Sequence, residues 1–381
     1  MPPPTQHVVV VGAGAIGLAT AFRLAEAGAE VVLIDASGTR GASWAAAGML
    51  APVSEASFGE EELTRLTLAA VPAFIDFATL LQGLTGRPVG LRTEGTLAVA
   101  LTADDRAALL RLAEFRTSLG LATDNLTGSE ARLLEPYPAS DVRAGALAGD
   151  DLSVDNRGYL LALDRACSLA GVTRLTGEVT SLSRSGDRVD GVLTAAGQVI
   201  AADLVVLCAG ALTERLTGYP IQPVKGQILR LQIPDRLTAA GPVLTRTVRG
   251  LVHGSEVYLL PRVGGEVVVG ATVEQQGFDT TVTAGGVYEL LRNAYELLPI
   301  SSEFTFVEAL AGLRPGTADN GPLLGQVQPG LILATGHYRN GILLSALTAL
   351  AVRRLAAGER PAEEWDAFDP DRFTRSVPSP T

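Results

Sequence analysis

The strongest constraint on this 381-residue chain is a glycine-rich turn near its amino terminus. Four valines, residues 8–11, lead into Gly12-Ala-Gly-Ala-Ile-Gly17, which has the spacing GxGxxG. Residues 18–26 then predict an apolar helix, and residues 30–35 predict a second strand that ends in an acid, Asp35. These elements make a complete βαβ unit of the type that binds a dinucleotide: a strand, a glycine turn, a helix and a second strand that ends in an acidic residue.

Each residue of this motif has a physical task. Gly12 permits the tight turn, Gly14 lets the backbone approach a pyrophosphate, and Gly17 lets the helix pack close to the strand. The N–H groups at the start of the helix face the phosphates, and Asp35 accepts hydrogen bonds from ribose hydroxyls, which disfavours a 2′-phosphate. The motif does not distinguish NAD from FAD.

Residues 36–52 form a small-residue segment, rich in alanine and glycine. Short side chains let main-chain N–H groups contact an extended cofactor, which favours FAD because an NAD enzyme has no evident need for such a segment. A flexible linker is the alternative, but Trp44, Met49 and Leu50 make the segment too apolar for one.

Composition excludes several classes of function. A formal net charge of -11 gives no field that would attract nucleic acid or an anionic membrane. Cys167 and Cys208 are too few for a disulfide scaffold or a thiolate zinc site, the histidines are scattered, and no metal site is predicted. The low cysteine content fits a reducing cytoplasm.

No membrane span is predicted from the two most apolar stretches near the chain ends. Residues 8–22 are interrupted by the motif glycines and have no preceding lysine or arginine, unlike a signal peptide. Residues 342–352 stop at two arginines, short of the ~20 apolar residues that a spanning helix needs.

Three further motifs carry a resemblance to a known family. The segments are Ser43-Trp-Ala-Ala-Ala-Gly-Met-Leu50, Ala311-Gly-Leu-Arg-Pro-Gly-Thr317 and Gly336-His-Tyr-Arg-Asn-Gly-Ile-Leu343. Together they resemble the D-amino-acid oxidase superfamily, and within it the glycine oxidases of bacterial thiamine biosynthesis, over nearly the whole chain. The resemblance implies FAD-dependent oxidation of glycine, sarcosine, D-alanine or D-proline to the imine and 2-oxo acid, releasing ammonia and hydrogen peroxide. It also implies oxygen as oxidant, a role in thiazole assembly and a homotetramer.

The resemblance assigns residues to both ligands. Arg314 and Tyr258 bind the substrate carboxylate, with Arg339 as a further substrate-side arginine, and no residue is assigned as a general acid or base because hydride transfer from a free amine needs none. With the glycine turn, the predicted cofactor contacts are Gly12, Gly14, Ala15, Ile16, Gly17, Asp35, Ala36, Ala42, Ser43, Ala47, Gly48, Met49, Val179, Gly210, His337, Tyr338, Arg339, Asn340, Gly341, Ile342 and Leu343.

The chain departs from the family at two pocket positions. Glu256 and Val273 stand where family members carry His and Met, which puts the substrate preference in doubt. The chain also has no histidine between Asp35 and Met49 and no cysteine after Cys208, so it lacks the residues that tether flavin in covalent relatives. We therefore expect non-covalent FAD.

The predicted fold class is α/β with an α+β second domain. Residues 1–85, 145–222 and 305–381 are assigned to a Rossmann-like FAD-binding domain with a parallel sheet. Residues 86–144 and 223–304 are assigned to a substrate domain, because residues 90–100 and 229–273 alternate apolar residues with turns, as antiparallel strands do. Such an architecture leaves the substrate at the boundary between the domains.

Several alternatives stay open. A D-amino-acid dehydrogenase or oxidase would accept bulkier side chains and could pass electrons to a quinone. An NAD-dependent dehydrogenase is disfavoured by the small-residue segment. A flavin-binding module without its own turnover would not need the carboxylate-binding Arg314.

Overall fold

A computed structural model describes residues 6–36, 41–239, 241–252 and 254–374. His253 and residues 37–40 of the small-residue segment lie outside these ranges. The strands in the described ranges are β1 His7–Val11, β2 Glu30–Asp35, β3 Met49–Leu50, β4 Thr96–Ala100, β5 Asp124–Thr127, β6 Ala144–Ala148, β7 Leu152–Ser153, β8 Thr173–Thr176, β9 Val179–Ser185, β10 Arg188–Thr194, β11 Val199–Ala201, β12 Leu204–Leu207, β13 Gln222–Gln232, β14 Thr247–Val252, β15 Ser255–Pro261, β16 Glu266–Gly270, β17 Thr305–Gly316, β18 Leu323–Gln328 and β19 Leu331–Thr335.

The helices in the same ranges connect and cover these strands. They are α1 Ala15–Glu26, α2 Ala42–Ala45, α3 Glu61–Thr85, α4 Ala103–Ser118, α5 Gly128–Leu134, α6 Asn156–Leu169, α7 Thr213–Thr217, α8 Asp235–Thr238, α9 Ala284–Leu297, α10 Ser345–Ala356 and α11 Asp371–Thr374. Short 3-10 turns lie at Gly210–Leu212, Pro299–Glu303, Tyr338–Asn340 and Glu363–Phe368.

The predicted βαβ unit forms the centre of a six-stranded sheet with the order β18-β19-β12-β1-β2-β8. All neighbouring pairs are parallel except β18 and β19 at one edge. Strand β2 has the predicted bounds, whereas α1 begins earlier than predicted, at Ala15, because Gly14 already serves as its N-cap. This sheet confirms the predicted Rossmann-like domain.

Strand β1 shows how the sheet is buried on both faces. Val8 and Val10 pack into a core formed with α1, α3, α6 and α10. Val9 and Val11 point the other way, toward a core that includes β9 and β10 of a three-stranded sheet. Because successive side chains of a strand alternate between faces, an unbroken valine run is what a doubly covered central strand requires.

The second large sheet has eight strands in the order β17-β13-β16-β15-β14-β4-β6-β5. Leu229 and Leu259 on one face pack against α9, whereas Ile228 and Leu260 on the other face pack against Ala47 of the small-residue segment. The predicted α+β domain is confirmed, with one addition: β4 and β14 pair in parallel. Because β4 reaches the sheet from a distant part of the chain, no hairpin sets its direction.

The strand pairing favours different positions for the predicted domain boundaries at residues 145 and 305. Both β6 and β17 pair inside the eight-stranded sheet, with β4 and β13 respectively. The assigned boundaries place these two strands in the FAD-binding domain. We propose moving the boundaries to the carboxyl ends of β6 and β17, and the discontinuous division itself stays a prediction.

One helix of the described residues, α3, is long and apolar enough to cross a membrane by length and composition alone. Its side chains Leu66, Phe74 and Phe77 are buried in the core shared with α6 and α10. The Phe74 ring lies 5.1 Å from the ring of Tyr159 on α6. Core helices of folded domains commonly have this composition, so α3 is weak evidence for a span, and the absence of a span stays a prediction.

Candidate active site

A cavity of about 1170 Å³ runs from the carboxyl ends of β1, β2 and β12 to the inner face of the eight-stranded sheet. The carboxyl edge of a parallel sheet is where open α/β folds bind their ligands. Most of the predicted cofactor residues border this cavity, namely Gly12, Gly14, Ala15, Ile16, Asp35, Ala36, Ala42, Ser43, Ala47, Gly48, Met49, Val179, Gly210, His337, Tyr338, Arg339, Gly341 and Ile342.

Three predicted cofactor residues stand apart from the cavity lining. Gly17 lies behind the turn, where a Cβ would be 1.8 Å from the Gly12 carbonyl oxygen. Leu343 is buried in the core beside α10. Asn340 instead donates from Nδ2 to Glu60 Oε1 at 2.6 Å. Gly17 thus allows close packing as predicted, whereas the Leu343 side chain packs in the core and that of Asn340 binds Glu60.

The glycine turn is shaped by contacts with β12 and with the small-residue segment. Gly12 has φ +104°, and a Cβ there would lie 2.4 Å from the Cys208 carbonyl oxygen. At the first turn of α1, the Ala15 N–H donates to Ser43 Oγ at 3.0 Å. A hydroxyl therefore sits at the helix terminus, where the N–H groups and the helix dipole favour an anion such as a pyrophosphate.

The predicted ribose acid is tied to the same turn. Asp35 Oδ2 accepts from the Ala13 N–H at 2.7 Å. The Asp35 carbonyl accepts from the Gly177 N–H at 3.0 Å, which brings the start of β9, with the buried Val179, beside the end of β2. This is the corner in which the adenosine part of a dinucleotide is expected.

Asn156 and Arg262, which were not predicted, hold the small-residue segment in place. Asn156 Nδ2 donates to the carbonyl oxygens of Ser43 and Trp44, both at 2.9 Å. Arg262 donates to the Ala47 and Val154 carbonyls, and burial lowers its pKa to about 10. Arg262 directly follows β15, the strand that carries Tyr258, but its sequence context carries no signal for this role.

The segment that leads into α10 follows β19 and also borders the cavity. His337 is fully buried, its Nε2 lies 2.9 Å from Thr348 Oγ1, and burial lowers its pKa to about 3, so the ring is neutral. Tyr338 has φ +46°, an uncommon backbone conformation for a bulky residue and one that concentrates at ligand sites. This segment therefore provides polar groups beside the cavity.

The two predicted carboxylate-binding residues lie on the inner face of the eight-stranded sheet. Arg314 Nη1 donates to the Thr272 carbonyl at 3.1 Å. Burial raises the pKa of Tyr258, and the nearby Arg314 charge opposes that rise. The phenol is therefore protonated and can donate a hydrogen bond, and the guanidinium lies within electrostatic range of it.

Arg339 also borders the cavity, with its Nη2 3.8 Å from Glu60 Oε2. Burial would lower the pKa of Arg339, but the negative charges of Glu55 and other nearby groups outweigh it and raise that pKa. This arginine is thus partly neutralised by protein carboxylates, whereas Arg314 donates to the Thr272 carbonyl.

A charged group beyond Tyr258 was not predicted. Arg249 is the cross-strand partner of Tyr258, and its guanidinium nitrogens lie 3.4 Å from Glu55 Oε1 and 3.4 Å from Glu256 Oε2. All four side chains border the cavity, as does Val273. Of the three charged residues in this group, only Glu256 was predicted to border the pocket, because Arg249 becomes its neighbour only through the β14–β15 register.

Other reactive groups are sparse around the site. Cys208 borders the cavity, but burial raises the pKa of its thiol to about 12, which makes it a weak nucleophile. Within the described ranges, no cluster of three or more His, Cys, Asp or Glu side chains has the arrangement of a metal site.

Comparisons with known proteins agree with this geometry. The family model described as FAD dependent oxidoreductase matches residues 7–355. A glycine oxidase from Geobacillus kaustophilus is 34% identical over 97% of this chain and 98% of that protein. Its crystal structure, at 32% identity, has a TM-score of 0.88 and covers 98% of this chain and 100% of that chain. The bifunctional protein ThiO/ThiG from Synechocystis sp. is 33% identical over 99% of this chain, which spans 55% of that protein.

The chain belongs to the family of FAD-dependent oxidoreductases. The cavity fits FAD on structural grounds, because it is extended, has a helix N-terminus and a strand-end acid at one end, and has small-residue walls. The predicted cofactor, FAD, is confirmed, and the predicted class of enzyme is confirmed as an FAD-dependent oxidoreductase. The chain spans about half the length of the bifunctional relatives.

Proposed function

We propose that this protein oxidises glycine and other small amines or D-amino acids, such as sarcosine, D-alanine and D-proline, with molecular oxygen. The substrate loses two electrons and two protons to give an imine, and oxygen becomes hydrogen peroxide. Water then hydrolyses the imine to the 2-oxo acid, which releases ammonia from glycine and D-alanine and methylamine from sarcosine, and opens the ring of the D-proline imine. The support is the likeness to a glycine oxidase over nearly the full length, together with a carboxylate-binding pair in the same cavity as the cofactor residues.

The carrying observation is the convergence of Arg314 and Tyr258 on one face of the sheet. A guanidinium binds a carboxylate through two parallel hydrogen bonds, and a protonated phenol adds a third donor. Anchoring the carboxylate leaves the α-carbon with few orientations, which is the main requirement for oxidation at that carbon. Bound FAD supplies the hydride acceptor for this chemistry.

The remaining residues shape the environment of the reaction. The neutral His337 and the turn that leads into α10 border the cavity, and the partial positive charge of a helix terminus stabilises negative charge near it. No side chain is assigned as general base, because the amine reacts in its neutral form. The Arg249, Glu55 and Glu256 group forms the wall beyond Tyr258 and limits the size and charge of substituents.

The finer biological assignments are also proposals. We propose that the imine product of glycine serves thiazole assembly in thiamine biosynthesis, which the similarity to a ThiO/ThiG protein supports. We further propose a cytoplasmic homotetramer that holds FAD non-covalently. The two cysteines, both unpaired and buried, are consistent with a reducing compartment.

The rival function is a D-amino-acid dehydrogenase or oxidase with broader side-chain tolerance. It differs in two measurable properties, the electron acceptor and the size of the accepted side chain. Peroxide release from glycine, sarcosine, D-alanine, D-proline and D-phenylalanine in air, compared with reduction of a quinone analogue without oxygen, separates the two. Turnover of D-phenylalanine with the quinone alone would overturn the glycine-type oxidase.

Arg314→Ala tests the role of the guanidinium. We expect kcat/KM for glycine to fall on the order of 100-fold or more, because a charge-assisted pair of hydrogen bonds is lost. FAD content should stay unchanged, since Arg314 borders the substrate end of the cavity. Arg353→Ala, at an exposed position on α10, is the matched control. An unchanged kcat/KM in Arg314→Ala would contradict the proposed function.

A further inference from the structure

The Arg314 guanidinium lies flat on a glycine of the neighbouring strand. An ideal Cβ at Gly226 on β13 would be 2.3 Å from Nη1, 2.4 Å from Nη2 and 2.5 Å from Cζ of Arg314. Real Cβ atoms essentially never approach heavy atoms this closely. The cross-strand partner of Arg314 is Val224, not Gly226. The Arg314 side chain must therefore extend along β13 by two residues to lie over Gly226.

Tyr258 lies on a second glycine in the same way. Gly270 on β16 is its direct cross-strand partner, and a Cβ there would be 2.2 Å from the phenol oxygen and 2.4 Å from Cζ. Gly226 and Gly270 share the inner face of the sheet, because Ile228, two residues after Gly226, pairs with Gly270. Both glycines therefore provide space for a side chain from a neighbouring strand.

The two side chains lean toward each other across the sheet. Arg314 on β17 and Tyr258 on β15 are separated by β13 and β16, so their backbones lie about 14 Å apart at the usual strand spacing. Arg314 crosses β13 and reaches the Thr272 carbonyl just beyond the end of β16, while the Tyr258 phenol lies over Gly270. Their polar tips therefore come together above β16.

We propose that Gly226 and Gly270 are positioning residues that set the place of the substrate carboxylate. This inference rests on the proposed function, in which Arg314 and Tyr258 bind that carboxylate. A methyl group at either position would lift the donor above it away from the sheet and separate the two tips. Neither glycine has a positive φ of the kind that L side chains avoid, so alanine is compatible with the backbone and acts through space.

The decisive experiment is a double-mutant cycle between Gly226→Ala and Arg314→Ala in the FAD-loaded enzyme. Gly226→Ala should raise KM for glycine on the order of 10- to 100-fold, because a displacement near 1 Å is costly at a reacting site. We expect kcat to change less than KM. Binding of acetate, measured by calorimetry as a probe of the carboxylate site, should weaken by a similar factor. FAD content should be retained.

The same glycine substitution should add nothing further to kcat/KM in the Arg314→Ala background. Equal losses in both backgrounds would show a general structural effect and overturn the inference, as would an unchanged KM and acetate affinity in Gly226→Ala. If Arg314→Ala itself leaves kcat/KM unchanged, the proposed function fails and the inference falls with it. Gly149→Ala, where a Cβ meets nothing within 4 Å, is the control.

A second double-mutant cycle tests the same inference if the first glycine variant does not fold. If Gly226→Ala gives no folded protein, Gly270→Ala is combined with Tyr258→Ala and the same quantities are measured. A loss of acetate affinity in Gly270→Ala that disappears once Tyr258 is alanine supports the inference. A loss that persists without the phenol overturns it.

Discussion

Arg262 Nη2 lies 3.2 Å from Asn156 Oδ1, and this contact joins the eight-stranded sheet to the segment that lines the cofactor cavity. Asn156 in turn donates to the carbonyls of Ser43 and Trp44, and Arg262 donates to the carbonyl of Ala47. Two side chains thus satisfy main-chain carbonyl groups of a segment that has few long side chains of its own to hold it. Buried carbonyl groups require such partners.

Arg262→Met keeps much of the side-chain volume but removes every donor. We expect FAD affinity to fall, because the Ala47 carbonyl loses its partner and the segment beside the cofactor relaxes. An unsatisfied buried acceptor costs about 1–3 kcal/mol, so the free energy of unfolding should fall by a similar amount. The measurements are FAD dissociation followed by fluorescence and unfolding in denaturant.

The control for this substitution is Arg236→Met, at an arginine with a 60% exposed side chain that pairs with Glu303. A surface ion pair of this kind contributes little to stability. If both variants lose FAD equally, or if Arg262→Met keeps full affinity, Arg262 does not hold the segment.

Gly312→Ala should weaken FAD binding and leave the carboxylate site intact. A Cβ at Gly312 would lie 2.8 Å from the Ala45 Cβ and 3.3 Å from the Ala42 Cα, so the added methyl pushes α2 away from β17. We expect FAD affinity to fall on the order of 10-fold, the scale of overpacking by one methyl. Equilibrium dialysis against FAD gives the affinity.

Gly226 is directly opposite Gly312 in the β13–β17 pair, which makes Gly226→Ala a matched comparison. The two variants should show opposite behaviour, with FAD loss in one and loss of acetate binding in the other. Identical effects on both ligands would mean that these glycines serve only the packing of the strand pair.

His337 predicts a pH dependence of stability. Burial lowers its pKa to about 3 from the ordinary value of 6.5. As the pH falls below 6.5, the histidine is protonated in the unfolded chain but stays neutral in the folded protein until about pH 3. The free energy of unfolding therefore decreases as the pH falls from 6.5 to about 3. The slope is at most about 1.4 kcal/mol per pH unit.

His337→Asn should remove this part of the slope between pH 6.5 and the acid limit. Thermal unfolding of both proteins at several pH values measures the difference. His7→Asn, at a histidine whose side chain is 59% exposed, controls for the loss of a histidine as such. An unchanged slope in His337→Asn would show that the buried ring does not contribute.

Local patterns were enough to predict the cofactor half of the site. The valine run, the spacing of Gly12, Gly14 and Gly17, and the acid at Asp35 determine a βαβ unit through contacts within about one turn or strand of each other. The small-residue segment was recognised because main-chain contact with a ligand demands small side chains. These requirements involve residues close together in the chain, so the sequence alone shows them.

For the substrate part of the site, the sequence predicted individual residues but not their contacts with one another. Tyr258 and Arg314 were identified, but Arg249, Asn156 and Arg262 were not, since each acquires its role from a strand or helix distant in the chain. A sequence shows no register, and a shift of one residue would turn Arg249 to the other face of its sheet.

The amino-acid sequence alone determined the dinucleotide fold, the preference for FAD and the chemical type of the groups that we propose bind a carboxylate. Only the tertiary structure decided that Arg314 and Tyr258 meet above two glycines, with a charged wall behind them. The reason is physical: glycine spacing and apolar periodicity act through neighbouring residues, whereas the convergence of side chains from separate strands depends on pairing over long chain distances.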